Sequence, residues 1–416
     1  MSAIETDCAI VGAGPAGLAA ARAAIDGGVR SVLVIDRDDA PGGLPRFCRH
    51  PGFGWEYTRR LETGPGLVRR LIGALDPARV QIRTGTTVQA LHAGPRLEIL
   101  SSGAGAATVH AKAVILATGI RERPRTARLV PGRRPERGIL TTGQLQQMIA
   151  RGVPLHGKRL VVVGTEHVAF SVLLTARHAG LSVVAMVEAE DRPMSYAPVA
   201  TLVRCIAGVP IHATTRISDI HGETCVSGVE IESPEGRRVI PCDAVVFSGD
   251  FVPDSPLARS AGLTLDPATG GPQVDQIGRT SAPCVFAAGN LLRAVESSGF
   301  AAIEGARVGA ATAAFLGGRI GWRGQVSTIA IAPQFRYVVP QCWSFEVPGL
   351  ATLPTSLRVG ADLDSARVGL RHDQALLWRG PVRRLLRHRR IRVPLSSLST
   401  RLPGSISLVA TPRDHP

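Results

Sequence analysis

The chain has 416 residues, 44% of them hydrophobic and 19% charged, enough for two or three packed domains and unlike a disordered chain. Its formal charge of +15 rests almost wholly on arginine, because Lys112 and Lys158 are the only lysines. Aromatic residues at 4% exclude stacking platforms for single-stranded nucleic acid, and no nucleic-acid motif is present.

The first predicted unit reads "DCAIVGAGPAGLAAARAAIDGGVRSVLVID" from Asp7 to Asp36. It holds an apolar strand, a glycine turn, a helix of small residues and a second strand that ends in an acid. Gly12, Gly14 and Gly17 form G-x-G-x-x-G around Pro15 and Ala16. In this pattern the first glycine makes the turn, the second admits a pyrophosphate and the third lets helix pack on strand. The helix N-terminus then offers free N–H groups to phosphate. Asp36, followed by Arg37, stands where an acid accepts hydrogen bonds from a ribose. The stretch is a dinucleotide site.

Next comes a glycine-rich loop, "GGLPRFCRHPGFG" (42–54), and a helix predicted from Tyr57 to Leu75 with an interruption at Gly64-Pro65-Gly66. Short strands follow near 80–83, 97–101 and 107–111, and a buried strand, 113–117, closes on Thr118 and Gly119. Residues 120–158 read as a crossover with a helix near 142–150. The opening pattern then repeats: "LVVVGTEHVA" (160–169) and a strand at 183–187 ending in Glu188. A hairpin near 226–240, the stretch "VVFSGDFVPD" (245–254), "VFAAGN" (285–290) and a helix from Ser298 to Leu316 complete this part.

The expected fold is therefore α/β, with two Rossmann-like three-layer dinucleotide domains, the second inserted in the first. Residues 1–120 and 275–320 form the first and 150–250 the second; 325–416 form a small β-rich domain ending in an arginine-rich stretch, Arg383 to Arg392. No apolar run reaches the roughly 18–20 residues that span a bilayer. Seven cysteines without paired spacing, and no basic leader, fit a cytoplasmic, reduced protein with no integral membrane segment and no metal site.

Taken together, "VGAGPAG", "ILATGIRERPR", the second "VVVG" and "VFAAGN" resemble the two-dinucleotide-domain flavoproteins, the pyridine nucleotide-disulfide reductase-like superfamily. The resemblance implies FAD on the first unit. Its ligands would be Gly12, Gly14, Pro15, Ala16, Gly17, Asp36, Arg37, Gly43, Thr118, Gly119, Gly289 and Asn290. A narrower resemblance, carried by "GGLPRFCRHPGFG", "ATGIRERPR" and "TTGQLQQ", is to the α-subunit type of dye-linked opine and amine dehydrogenases and hydrogen cyanide synthase relatives. It implies a small-molecule amine donor, with an iron–sulfur protein and a second flavoprotein subunit for partners.

Three positions depart from the superfamily pattern. Asn290 stands where an aspartate is usual. Glu166 replaces the second glycine of the second turn and puts NAD(P) binding there in doubt. Cys48 has no cysteine partner, which disfavours disulfide reduction. Cys48 and His50 are the catalytic candidates: His50 as a base for the substrate amine, Cys48 as a low-pKa thiol helped by Arg46, Arg49 or His50. Against both stands plain packing with a hydrogen bond. Arg121, Arg123 and Arg125 read either as clamps for phosphate or carboxylate or as interdomain ion pairs. The function expected is an FAD-dependent dehydrogenase of small amine or amino-acid-like donors. The alternatives are an NAD(P)H-dependent flavoprotein reductase and a flavin-bearing scaffold subunit inactive alone.

Overall fold

The computed structural model describes residues 2–195, 208–322, 324–347, 349–398 and 402–412; Cys205 lies outside them. Strand β1 (Ser2–Val11), helix α1 (Pro15–Asp26) and strand β2 (Val32–Ile35) form the opening unit. The apolar runs of both strands are buried because helices cover both faces of a parallel sheet. Strand β3 (Gly105–Leu116) lies parallel to β1 on its other side. It is one strand of twelve residues, where the sequence predicts two short ones.

The sheet runs Val80–Arg83, β2, β1, β3, Arg96–Ser101, Thr86–His92, the last two antiparallel. The registers pair Val11 with Ile35 and with Leu116. A strand from much later in the chain, Val285–Ala287, also pairs with β3, setting Ala287 opposite Leu116. The strands that precede Gly12, Thr118-Gly119 and Gly289 therefore end level, on one edge.

The expected 57–75 helix is instead two helices, Trp55–Thr58 and Gly64–Gly73, with a two-residue strand between. Gly64-Pro65-Gly66 starts the second helix and does not interrupt one. Proline at the first turn loses no hydrogen bond, and the Thr63 hydroxyl caps Gly66 N–H.

The second sheet is parallel, in the order Ile139–Thr141, Ala244–Phe247, β4 (Arg159–Val163), β5 (Ser182–Val187), Ile211–His212. Helix α2 (His167–His178) joins β4 to β5, and a three-stranded antiparallel sheet over residues 216–241 packs beside them. A ribbon of Ile120–Glu122 against Phe251–Pro253 carries both crossings between the two sheets.

Helix α3 (Ser298–Leu316) lies on α1 with backbone close to backbone. A side chain at Gly305 would strike the Ala16 carbonyl, and one at Gly309 the Ala20 carbonyl. Small residues on both helices allow this approach.

The C-terminal segment is β-rich, with a six-stranded sheet and a ribbon of Phe335–Val339 on Ser356–Val359. Its own core gathers around Trp343, Leu357, Leu370 and Leu408. Tyr337, Val339, Val347 and Leu353 belong instead to the core of the first sheet.

Candidate functional site

The first glycine turn is shaped by contacts of two kinds. Gly12 has φ +110, and a Cβ there would strike the Ala117 carbonyl; one at Gly17 would strike the Gly12 carbonyl. Gly14 differs. It is the N-cap of α1 at φ −76, ψ −176, which any residue adopts, and a Cβ would meet nothing within 4 Å. The protein itself has no use for a bare backbone at Gly14, so the space in front of it suits something from outside. The first bond of the helix is Leu18 N–H to the Gly14 carbonyl, 2.9 Å, and no side chain caps the end. The N–H groups of Ala16 and Gly17 are left facing that space, at the positive end of the helix dipole.

The predicted neighbours converge here. Gly42 N–H donates to the Ala13 carbonyl at 2.8 Å, which brings Gly43, at φ +59, over Gly14. A Cβ on Gly43 would lie 3.1 Å from the Gly14 Cα. Gly289 sits against Ala16, where a Cβ would come within 2.7 Å of the alanine methyl. The Asp36 carboxylate accepts from Ala13 N–H at 2.6 Å and from Asp38 N–H at 2.9 Å; burial raises its pKa, and these two bonds work the other way. Thr118 donates to the Asp254 carbonyl at 2.7 Å, and Asp254 N–H donates to the Gly119 carbonyl at 2.9 Å. Arg37 pairs with the same aspartate at 3.0 Å.

The sequence does not single out Asp254. It latches the two crossings together, and only its place at the end of the stretch that resembles "ILATG" hints at that role. Asn290 also has its partners within the chain. Its carboxamide donates to the Glu296 carbonyl at 3.0 Å and accepts from Glu296 N–H at 2.9 Å.

Arg121 and Arg123 form ion pairs between the two crossings, and Arg125 follows neither expectation. Arg121 donates through Nε and Nη2 to one oxygen of Asp254, Oδ1, at 2.8 and 2.5 Å, and Arg123 lies 3.6 Å from Asp250. Arg125 is buried and donates to the carbonyls of Val130, Pro131, Gly132 and Arg133.

Cys48 as a low-pKa thiol is corrected. It is buried, its thiol donates to Gln146 Oε1 at 3.3 Å, and burial, reinforced by the Glu122 carboxyl, pushes it up to about 12. Arg46, expected to help it, is spent on Asp38 and Asp39 and stacks on Phe47. His50 keeps one ring nitrogen unused. Its Nδ1 donates to the Pro51 carbonyl at 2.9 Å, which leaves the lone pair on Nε2. That nitrogen is shielded and has no hydrogen-bond partner among the described residues.

The second turn has the frame of the first with a different filling. Glu166 is the N-cap of α2 at φ −73, ψ 171, the backbone pose of Gly14. Its carboxylate accepts from the Ser248 hydroxyl and packs on Gly249, where a Cβ would fall 3.1 Å from it. Burial holds its pKa above the usual carboxylate value. Glu188 is taken by the Thr165 hydroxyl and by Glu190 N–H at 3.0 Å, and Thr165 accepts from Met194 N–H at 2.9 Å. Among the described residues no group of three or more His, Cys, Asp or Glu could hold a metal, and no helix is long and apolar enough to cross a membrane.

Comparison with known proteins agrees with this architecture. The family model described as pyridine nucleotide-disulphide oxidoreductase matches residues 6–313. A ferredoxin–NADP reductase of Salinispora tropica is 29% identical over 294 residues, covering 69% of this chain and 86% of that one. One of the subunits of an opine oxidase from Rhizobium meliloti is 26% identical over 368 residues, covering 82% of this chain and 67% of that one. The crystal structure of T. acidophilum thioredoxin reductase superposes with a TM-score of 0.63 at 22% identity, covering 74% of this chain and 98% of that one. This last likeness is one of fold.

Proposed function

The chain belongs to the pyridine nucleotide-disulphide oxidoreductase family and is an FAD-dependent oxidoreductase; from that premise we propose that it is a dehydrogenase. It takes a hydride from a small amine or amino-acid-like donor and passes the electrons to a partner protein. The observation that carries this reading is the contrast between the two turns: Gly14 is open and Glu166 is filled. With one cradle open and the other filled, the electrons are read as coming from a small donor and not from a second nucleotide. The opine oxidase match supports the donor class, since it extends over more of the chain than the ferredoxin reductase match does. That relative is also named as one part of a multi-chain oxidase. This fits an iron–sulfur protein and a second flavoprotein subunit, the expected electron partners.

Bound FAD supplies the two-electron acceptor. Gly14 and Gly43 would leave room for its pyrophosphate, and the N–H groups of Ala16 and Gly17 would be the donors to it. Asp36 retains acceptor capacity for a ribose hydroxyl, because a carboxylate offers about four lone-pair sites and two are in use. Thr118, Gly119 and Gly289 line the same edge. Asn290, spent on Glu296, shapes its loop. His50 is the base proposed for the donor's ammonium proton, so that the amine lone pair can assist hydride departure; its Nε2 is shielded here, and donor binding has to uncover it.

Anaerobic titration followed by flavin absorbance tests this. Candidate amines and N-alkyl amino acids bleach the flavin; millimolar NADPH leaves it oxidised, and NADH bleaches it slowly at most. Bleaching by either nucleotide at the rate of turnover refutes the reading in favour of an NAD(P)H-dependent reductase; the Salinispora relative is named a ferredoxin–NADP reductase. With an active donor in hand, His50→Ala lowers turnover by about 10²-fold, while Cys48→Ser stays near wild type and both retain FAD. Wild-type turnover in His50→Ala returns the histidine to packing.

A further inference from the structure

The loop between Val285–Ala287 and α3 carries Gly289 and Asn290 at one end and Glu296 at the other, and the Asn290 carboxamide ties the two ends together. The Glu296 side chain is 6% exposed, and the hydrogen bonds to its carboxylate come from the C-terminal segment. Its Oε1 accepts from Ser356 Oγ at 2.9 Å and from Arg358 Nη2 at 3.2 Å, and its Oε2 lies 3.5 Å from Arg390 Nη1. Arg390 is anchored through Nε on the Thr355 carbonyl at 2.8 Å, and its guanidinium stacks on Phe300, in the first turn of α3, at 4.5 Å. Arg358 also donates to the His388 carbonyl at 2.6 Å. From the loop itself, Arg293 Nε lies 4.0 Å from Glu296, and Arg293 pairs in turn with the buried Glu304 of α3.

We propose that the C-terminal β domain is a positioning element of the FAD site, acting through Glu296. The three arginines around this carboxylate hold it below the usual range despite its burial. A buried carboxylate deprived of two of its three cations is unfavourable, so the loop and the domain take up their positions together. Docking of Ser356, Arg358 and Arg390 fixes Glu296, Glu296 fixes Asn290, and the loop then presents Gly289 to Ala16 beside the pyrophosphate turn. The family match ends at residue 313, so Glu296 lies inside it and Ser356, Arg358 and Arg390 lie beyond it. It rests on the reading that Gly12–Gly17 and Gly289 hold FAD.

The test measures FAD affinity of the full-length apoprotein and the visible circular dichroism of the bound flavin, both well below the melting temperature. Glu296→Gln, which keeps the shape and drops the charge, weakens FAD binding at least tenfold and alters the flavin dichroism. Glu296→Asp, which keeps the charge, recovers part of both. Asp362→Asn leaves them at wild type, because Asp362 joins the same domain to Arg192 beside the second nucleotide turn and not to the flavin loop. A carboxylate that served only rigidity would lower the melting temperature and leave both readouts unchanged. Should Glu296→Gln fail to fold, Ser356→Ala carries the test with a few-fold loss of affinity. Wild-type affinity and dichroism in Glu296→Gln, or in Ser356→Ala where it stands in, overturn the proposal if Gly14→Val has lost FAD. If Gly14→Val binds FAD normally, the cradle reading itself falls.

Discussion

Gly14 and Glu166 hold one backbone pose at the heads of two helices and differ only in what stands in front of them. A valine at position 14 meets no protein atom within 4 Å of its Cβ and adopts a common φ, so Gly14→Val folds with a melting temperature near wild type. It takes up no FAD, because the side chain fills the pyrophosphate's approach; stoichiometric flavin in the purified variant would contradict this. For Glu166 the consequence is a pH dependence. Its folded pKa lies above the ordinary glutamate value of 4.5. Above pH 4.5 the unfolded chain gives up this proton more readily than the folded one, so this group costs stability as pH rises through that window. Glu166→Gln cannot ionise and still offers the Ser248 hydroxyl an acceptor. Its melting temperature exceeds that of wild type at about pH 8, and the gap closes toward about pH 4. A gap independent of pH would show that the charge is not the cause.

Among the elements, α1 and α3 are the pair on which the cradle depends. Their small residues bring backbones so close that Gly305 has no room for a methyl group against Ala16. Since Ala16 also borders the space proposed for the pyrophosphate, overpacking at residue 305 pushes that cradle. Gly305→Val costs about 1–3 kcal/mol or more by the usual range for overfilled cores, and it weakens FAD binding in the same variant. Thermal melts with and without added FAD check this. A loss of stability with FAD affinity unchanged would mean that the strain relaxes away from the cradle. The run of Ala and Gly in both helices is legible in the sequence, but their mutual contact is not. Residues so far apart along the chain carry no shared period, and only the packed layers bring them together.

At the scale of the whole molecule, the C-terminal domain is more than an appendage. Gln276 and Ser344 exchange two hydrogen bonds, with Ser344 N–H donating at 2.8 Å and the Gln276 amide at 2.5 Å. Gln341 and Cys342 N–H both donate to the Val274 carbonyl at 3.1 Å, and Val274 N–H donates to Gln341 Oε1 at 3.1 Å. Four of its hydrophobic residues complete the first core, and Arg387 and Asp362 reach Glu190 and Arg192 beside the second turn. A chain ending at residue 320 therefore exposes a cut core and leaves Glu296 without Arg358 and Arg390. It is expected to elute as aggregate on size exclusion and to lose cooperative melting. A monomeric, flavin-loaded truncation would show that the reductase-like part stands alone.

The sequence by itself determined what is local. Gly12 at φ +110, the small-residue helix and the buried parallel strands each follow from a steric or periodic demand of a few neighbouring residues. That is why both turns, the acid at residue 36 and the helix at 298–316 are legible, and why Glu166 stands out as a departure. Tertiary structure decided what needs a distant partner. Thr118 meets Asp254 across 136 residues, Cys48 is masked by Gln146 and Glu122, and the Glu296 carboxylate is met by Ser356, Arg358 and Arg390 from the far end of the chain. A thiol's reactivity and a carboxylate's ionisation are set by burial and by the charges around them, and these exist only once the chain has packed.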